Sequence, residues 1–174
     1  MVLCSIECVQ RISEYLEIPP GKLQITQNNT IAADNLVKNT SIEGFSTIIQ
    51  AYANLSKQQD LHLGNSDRIT QTLVRQWLEY AVMCINYADM PANAKRVLKE
   101  LNTVLRDNTY VTGTSKTIAD VALYYALHSI MSALTCQEQA EHVHVSRWFD
   151  NVQQEAKLRQ KLKVIQFDLM HLYI

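Results

Sequence analysis

The segment 118–134 is apolar on nearly every side, and it restricts the fold more strongly than any other part of the sequence. A helix of this kind has to be covered by other elements of the protein. It is preceded by Thr117-Ile118-Ala119-Asp120, where the Thr117 hydroxyl can accept from the Asp120 amide and the Asp120 carboxylate can accept from the Thr117 amide. The sequence therefore predicts a buried central helix, with Thr117 and Asp120 as its structural cap.

Amphipathic helices are predicted on both sides of this central segment. The first begins near Ser66 or Asp67, and its apolar positions are Ile69, Leu73, Trp77, Ala81 and Ile85. The second follows Pro91, with apolar positions at Ala94, Val97, Leu98, Leu101, Val104 and Leu105. Two more helices are expected after the central segment, starting at Thr135 and Ser146.

The beginning of the chain combines helix and strand patterns. A helical spacing of apolar residues ends at a Pro-Pro-Gly run at 19–21, and its members are Val2, Leu3, Ile6, Val9, Ile12 and Leu16. Alternating residues at 22–26 and a return at 31–33, separated by turn formers, predict a hairpin. Thr40-x-x-Glu43 matches a capping box, so a second helix is expected from about 41 to 55.

These patterns divide the chain into two lobes. We expect an α+β lobe at 1–57, a polar linker at 58–65 and an all-α lobe at 66–174. The first lobe has too few strands to be stable alone, so the two lobes are expected to share a core.

Charge and composition exclude several classes of function. The 16 Lys and Arg residues nearly balance the 17 Asp and Glu residues, which gives a net charge of -1. The long-range field that attracts nucleic acid is therefore missing, and direct tRNA binding is not expected. No apolar run approaches the roughly 20 residues that a bilayer span needs. We expect a cytosolic protein that binds neither nucleic acid nor membranes directly.

Few residues are candidates for chemistry. His142 and His144 lack a cluster of Cys or carboxylate ligands at matching spacing, so a metal is not expected. His128 is interpreted as a hydrogen-bonded core histidine rather than a catalytic one. Cys4 and Cys8 would form a redox pair only if both faced one exposed pocket, and packing as small apolar residues is favoured. No catalytic residue, cofactor site or metal site is therefore assigned.

Large aromatic residues beside polar groups indicate anchors of the core or contacts with partners. We interpret Trp77 and Trp148 as core residues. For Arg147, next to Trp148, a local structural role and an ion pair with a carboxylate of a partner are both open.

Several segments, taken in order, resemble a known family. They are Gln76-Trp77-Leu78-Glu79-Tyr80, Tyr110-Val111-Thr112-Gly113, Thr117-Ile118-Ala119-Asp120, Leu123-Tyr124-Tyr125-Ala126-Leu127-His128 and Val145-Ser146-Arg147-Trp148-Phe149. In this order they resemble the glutathione-transferase C-terminal domain. They are more closely similar to the elongation factor 1 epsilon family, also called aminoacyl-tRNA synthetase complex-interacting multifunctional protein 3. The likeness extends from about residue 73 to 165 and is looser before that.

This resemblance implies a glutathione-transferase-like fold, with a reduced thioredoxin-like lobe before the helical one. It implies a scaffold of the multi-aminoacyl-tRNA synthetase complex that is not an enzyme and needs no cofactor. The implied partners are the glutathione-transferase-like domains of methionyl-tRNA synthetase and glutamyl-prolyl-tRNA synthetase. A nuclear role in the DNA-damage response, beside a cytoplasmic one, is also implied.

Features that active transferases use to bind glutathione are replaced in this sequence. The chain opens with a helix, where a transferase has a first strand followed by its Tyr, Ser or Cys. Ile31-Ala32-Ala33 stands where the resemblance implies a cis proline, and Gly44-Phe45 stands where it implies a Glu/Gln-Ser pair. Binding of glutathione is therefore not expected.

Two docking surfaces are predicted from the resemblance. The first combines the helix with Phe45, Ile48 and Tyr52 with the helix that follows the linker. The second combines Arg147 with the loop around Tyr110, where the guanidinium pairs with a carboxylate of a partner.

Two other functions stay open at the level of sequence. An active glutathione transferase or peroxidase would use Cys4 or Cys8. An accessory subunit of elongation factor 1 would help to arrange nucleotide exchange.

Overall fold

A computed structural model describes residues 4–37, 40–57, 63 and 67–167. The strands are β1 Lys22–Ile25, β2 Ile31–Val37 and β3 Thr40–Glu43. The helices are α1 Ile6–Leu16, α2 Phe45–Leu55, α3 Arg68–Met83, α4 Pro91–Leu105, α5 Ile118–Ala133, α6 Cys136–Glu141, α7 Val143–Gln153 and α8 Ala156–Arg159, with a 3-10 helix at Ile85–Tyr87. The predicted order of an α+β lobe followed by a helical lobe is confirmed.

Helix α1 begins and ends by side-chain and backbone capping. The Ser5 side chain accepts a hydrogen bond from the amide of Cys8 at 3.3 Å. At the other end Glu17 has a left-handed φ of 58°, and the amide of Ile18 donates to the carbonyl of Ser13 at 3.0 Å. The helix therefore ends just before the two prolines, as the sequence predicts. Its described start is Ile6, because Ser5 is the N-cap; positions 1–3 lie outside the described residues.

The three strands form one antiparallel sheet in the order β1-β2-β3. The predicted hairpin is confirmed, since Leu23 pairs with Ala33 and Ile25 with Ile31. The capping box predicted at Thr40 and Glu43 is wrong. These residues form β3 and pair with β2, where backbone hydrogen bonds of the sheet replace the first turn of a helix.

Helix α2 instead begins after Gly44, whose φ of 92° favours glycine. This position turns the chain sharply from β3 into α2. No side chain caps the start of α2.

Helix α5 lies at the centre of the molecule. It packs against α1 and α2 of the first lobe and against α3 and α7 of the helical lobe. Its residues 118–127 are all buried, as a helix that is apolar all round requires. The described residues form a single hydrophobic cluster that includes Ile12 and Tyr52 from the first lobe and Leu123 and Trp148 from the second. The lobes therefore share a core.

Helix α3 differs from its sequence pattern at both ends. It ends at Met83, and Ile85 belongs to the following 3-10 helix. Its buried face consists of Val74, Leu78 and Ala81. Ile69 was expected in the core, but 72% of its surface is exposed. The predicted linker at 58–65 lies outside the described residues except for residue 63, so the position of the boundary stays a prediction.

Candidate functional site

The Asp120 carboxylate is a buried hub that connects the start of α5 with two other segments. Its Oδ2 atom accepts from the amide of Thr117 at 2.9 Å, which completes the predicted capping box. Its Oδ1 atom accepts from the amide of Val111 and from Nε1 of Trp148, both at 3.0 Å. Burial raises the pKa of this carboxyl above its ordinary value, and the hydrogen bonds that it accepts oppose this effect. Thr117 and Asp120 therefore form the predicted cap at the start of α5.

Arg147 closes the end of α4. It is half-buried, and its Nη2 atom donates to the carbonyl of Leu105 at 2.6 Å and to that of Asn108 at 2.9 Å. The last carbonyls of a helix lack partners within the helix, so a guanidinium stabilises them. The sequence left open a local structural role for Arg147 and an ion pair with a partner. The structure supports the local structural role for the Nη2 atom. Pairing with a partner through the remaining nitrogens stays a prediction.

The structure brings Arg147 and Tyr110 close to the same surface. Nδ2 of Asn151 on α7 donates to the Tyr110 hydroxyl at 3.3 Å. A shallow pocket of about 400 Å³ lies beside them and is lined by Thr109, Arg147 and Asn151 among others. This surface, the α7 surface, therefore combines a guanidinium with amide and hydroxyl groups.

The three residues predicted on α2 as partner contacts lie inside the molecule. Phe45 is 5% exposed, and Ile48 and Tyr52 are fully buried. The Tyr52 hydroxyl donates to the carbonyl of Pro20 at 2.7 Å. This placement corrects the expectation that these side chains face a partner, because the apolar face of α2 packs against α1, α3 and α5 instead.

An apolar stripe on α3 faces outward; the sequence predicted this helix as part of the first docking surface, but not which of its apolar residues are exposed. Ile69 is largely exposed, and Leu73 and Trp77 are half-buried; these three residues form the α3 stripe. They are spaced by one helical turn and so lie on one face. Leu55, at the end of α2, is 49% exposed. The expectation that Trp77 is a core residue is thus only partly correct, whereas Trp148 is fully buried as predicted. The signal in the sequence was the second apolar face of α3, which carries more apolar residues than one buried stripe requires.

A cleft with a volume of about 580 Å³ lies between the lobes. Cys4 and Cys8 are on its wall, and both are buried. Burial raises the pKa of the Cys4 thiol to about 12 and that of Cys8 well above its ordinary value. A nucleophilic cysteine needs a lowered thiol pKa, so these groups suit packing rather than conjugation.

The histidines that the structure describes do not form a metal site. Among the described residues, no group of three or more His, Cys, Asp or Glu side chains is arranged to hold a metal ion. His142 is only 8% exposed and lies between α6 and α7. His128 is half-buried and its Nε2 atom lies 3.1 Å from the carbonyl of Lys163. The hydrogen bond predicted for His128 is confirmed, although the residue borders the cleft rather than the core.

Polar contacts also connect the two lobes. Lys116 contacts the Glu155 carboxylate and lies 5.7 Å from the centre of the Tyr15 ring. Lys157 lies 5.6 Å from the centre of the same Tyr15 ring and pairs with Glu17 at 2.8 Å. Tyr15 and Glu17 belong to the first lobe, so these lysines help to orient it.

Of the helices that the structure describes, not one combines the length and the apolar character needed to cross a membrane.

The architecture is a glutathione-transferase-like fold. The structure superimposes on the glutathione-transferase-like domain of elongation factor 1-gamma from Saccharomyces cerevisiae with a TM-score of 0.66 and 14% identity, covering 93% of this chain and 90% of that one. It also superimposes on a glutathione transferase from Burkholderia graminis with two glutathione molecules bound per subunit. In that case the TM-score is 0.65, the identity 15%, and the coverage 90% and 84%. Identities this low establish the fold alone.

Sequence comparison gives the family. The chain is 37% identical over 134 residues to human eukaryotic translation elongation factor 1 epsilon-1, covering 76% of this chain and 75% of the relative. It is 35% identical over 133 residues to the mouse protein of the same name. A family model described as nuclear-export cofactor Arc1p matches residues 70–156. The tRNA-aminoacylation cofactor arc1 of Schizosaccharomyces pombe is 26% identical over 121 residues, which cover 25% of that protein. The chain therefore belongs to the elongation factor 1 epsilon family.

Proposed function

We propose that the protein is a non-catalytic adaptor that docks aminoacyl-tRNA synthetases through their glutathione-transferase-like domains. The observation that carries this proposal is its similarity, over three quarters of its length, to elongation factor 1 epsilon-1, together with its similarity to a tRNA-aminoacylation cofactor. The buried thiols of the cleft agree with an adaptor rather than an enzyme, because neither Cys4 nor Cys8 is activated. Within a multisynthetase complex, the partners would be methionyl-tRNA synthetase and glutamyl-prolyl-tRNA synthetase.

The first docking surface would be centred on the α3 stripe. Exposed apolar side chains in a row provide the desolvated centre that interfaces use. Ile69 would be its most accessible residue, with Leu73 and Trp77 beside it and Leu55 at its margin. A helix surface of this kind suits a similar helix of another glutathione-transferase-like domain, in a pseudo-twofold contact.

The second docking surface would be the α7 surface. One nitrogen of Arg147 is held by Leu105 and Asn108, which fixes the guanidinium in place while its other nitrogens can meet a carboxylate. Tyr110 and Asn151 would contribute polar contacts around it.

Affinity purification from a cell extract, with mass spectrometry of the captured proteins, tests both surfaces. We expect Ile69→Glu to remove one synthetase, because a carboxylate in the α3 stripe would be buried without a partner. We expect Thr109→Glu, which adds a like charge beside the carboxylate of the partner, to remove the other. Met90→Glu is a matched control, since Met90 is 62% exposed and outside both surfaces. Capture of the same synthetases by all three variants would contradict the assignment.

Arg147→Ala is a more direct but less selective change. It removes the proposed ion pair and also the two contacts to the end of α4. The melting temperature of this variant therefore has to be measured beside its binding of glutamyl-prolyl-tRNA synthetase. Unchanged capture by a folded Arg147→Ala protein would show that the guanidinium is not part of the interface.

A second candidate function is that of an accessory subunit of elongation factor 1. It is favoured by the name of the relatives, eukaryotic translation elongation factor 1 epsilon-1, and by the fold shared with a domain of elongation factor 1-gamma. Capture of nucleotide-exchange subunits without synthetases would support this function instead.

The adaptor function supports the proposal of a cytoplasmic location, and the family resemblance supports the further proposal of a nuclear role in the DNA-damage response. Imaging of a tagged protein before and after DNA damage tests the second statement. Accumulation in the nucleus is expected, and an unchanged distribution would contradict it.

A further inference from the structure

The cleft between the lobes is larger than packing alone requires. Its volume of about 580 Å³ falls within the roughly 300–1,000 Å³ that is typical of small-molecule sites. Apolar side chains from both lobes line it: Ile6, Ile25, Phe45, Val82, Ala126 and Leu162. A molecule bound there would contact α1, the hairpin and the start of α2 on one side, and α3 and α5 on the other.

The charged groups of the lining balance each other. Arg11 Nη2 pairs with Glu7 Oε1 at 2.8 Å, so the cation and the anion of the lining form one ion pair. Burial lowers the pKa of His128, which keeps its ring neutral at pH 7. Cys4 and Cys8 stay protonated because burial raises their thiol pKa. The described lining therefore carries almost no net charge.

This balance decides which ligands fit. Glutathione carries two carboxylates and one ammonium group, and moving charges into an apolar cleft without partners is costly. An uncharged apolar molecule has no such desolvation cost, and it buries its surface against the apolar side chains of the lining. The start of α2 at Gly44 has no side-chain cap and would favour an anion instead, so the charge of the ligand has to be tested directly.

We propose that the cleft between the lobes is a binding site for a small, uncharged, apolar molecule. This binding goes beyond the adaptor function and does not depend on it. It needs no chemical step, because the thiols on the wall are not nucleophiles. A ligand that contacts both lobes stabilises the folded chain by mass action.

Two fluorescent probes that differ in one group test the proposal on the full chain. N-phenyl-1-naphthylamine is uncharged, and 1-anilinonaphthalene-8-sulfonate has a similar ring system with an added sulfonate. We expect the uncharged probe to bind at least about tenfold more tightly, which is a clear difference on the scale of affinities. We also expect it to raise the melting temperature in a saturable manner. Equal or tighter binding of the sulfonate would overturn the proposed ligand class.

A pair of variants on α5 tests whether the probe binds in the cleft. Ser129 on α5 lines the cleft, and Ser132, one turn further along the same helix, does not. Ser129→Phe would fill part of the cavity and should weaken binding of N-phenyl-1-naphthylamine about tenfold. Ser132→Phe should leave binding unchanged. Equal binding by the two variants would place the probe elsewhere and overturn the site.

A measurement on the unmodified protein keeps the proposal testable if Ser129→Phe does not fold. In amide chemical-shift mapping with N-phenyl-1-naphthylamine, the largest changes should cluster at residues of the lining, such as Val82, Ala126 and Ser129. Largest changes on the α3 stripe would contradict the proposal, because they would indicate binding to the exposed apolar surface.

Discussion

Asp120 connects the start of α5 to the loop before it and to α7. Its carboxylate accepts hydrogen bonds from Val111, Thr117 and Trp148, and its side chain is fully buried. Asp120→Asn would replace one acceptor oxygen with an NH₂ group that faces a donor. An unsatisfied buried donor costs about 1–3 kcal/mol, so we expect a loss of stability of this size. Urea unfolding followed by circular dichroism measures it.

The matched control for Asp120 is Asp107→Asn. Asp107 is an exposed acid whose side chain is 72% accessible and pairs with its neighbour Arg106. An exposed ion pair contributes little, so its replacement should change stability by less than about 1 kcal/mol. Equal effects of the two changes would contradict the role of Asp120 as a hub.

The lowered pKa of His128 makes the free energy of unfolding depend on pH. Burial is the main reason that its pKa lies below the usual value of about 6.5. Between the folded and the unfolded pKa values, the unfolded chain binds more protons, so stability falls as the pH drops below about 6.5. His128→Gln, which does not titrate, should lose less stability than the natural protein between pH 7.5 and 5.5. Parallel stability profiles of the two proteins would show that the folded pKa of His128 is not lowered.

At the scale of elements, local signals in the sequence were sufficient for some boundaries and not for others. The start of α5 was predictable because Thr117 and Asp120 satisfy each other's backbone within one turn. Thr40 and Glu43 have the same spacing, yet they form β3, because backbone pairing with β2, the strand just before it, decides their conformation. A pattern of four residues contains no information about that partner strand.

Helix α7 has a cap that no local pattern indicates. Oδ1 of Asn102, on α4, accepts from the amide of His144 at 2.9 Å and from that of Val145 at 3.3 Å. A side chain from another helix thereby satisfies amides of the first turn. Asn102→Ala should lower the melting temperature, in line with the cost of about 1 kcal/mol for a lost cap.

The control for this cap is Thr103→Ala, next to Asn102 on α4. The Thr103 side chain is exposed, and its hydroxyl donates only within its own helix, to Lys99 at 3.0 Å. Alanine is a better helix former, so this variant should melt at the same temperature or slightly higher. A decrease equal to that of Asn102→Ala would indicate a general sensitivity of α4 rather than loss of the cap.

At the scale of the whole molecule, the candidate surfaces were only partly predictable. The sequence identified α2 and α3 as two helices with apolar faces, but it could not tell which face packs inward. In the structure Ile48 and Tyr52 are buried against neighbouring helices, while Ile69 is exposed. Burial depends on how the lobes are placed on each other, and the spacing of residues within one helix does not determine that placement.

The shared core predicts that the helical lobe depends on the first lobe. Helix α5 is buried on all sides from residue 118 to 127, and α1 and α2 supply part of its cover. A chain reduced to residues 66–174 would expose that side of α5 to water, at a cost of about 25 cal/mol for each Å² of apolar surface. We expect it to bind 1-anilinonaphthalene-8-sulfonate strongly and to lose its near-ultraviolet circular dichroism, whereas the full chain unfolds in one cooperative transition. Cooperative unfolding of the 66–174 fragment, with a near-ultraviolet spectrum like that of the full chain, would show that the two lobes are independent domains.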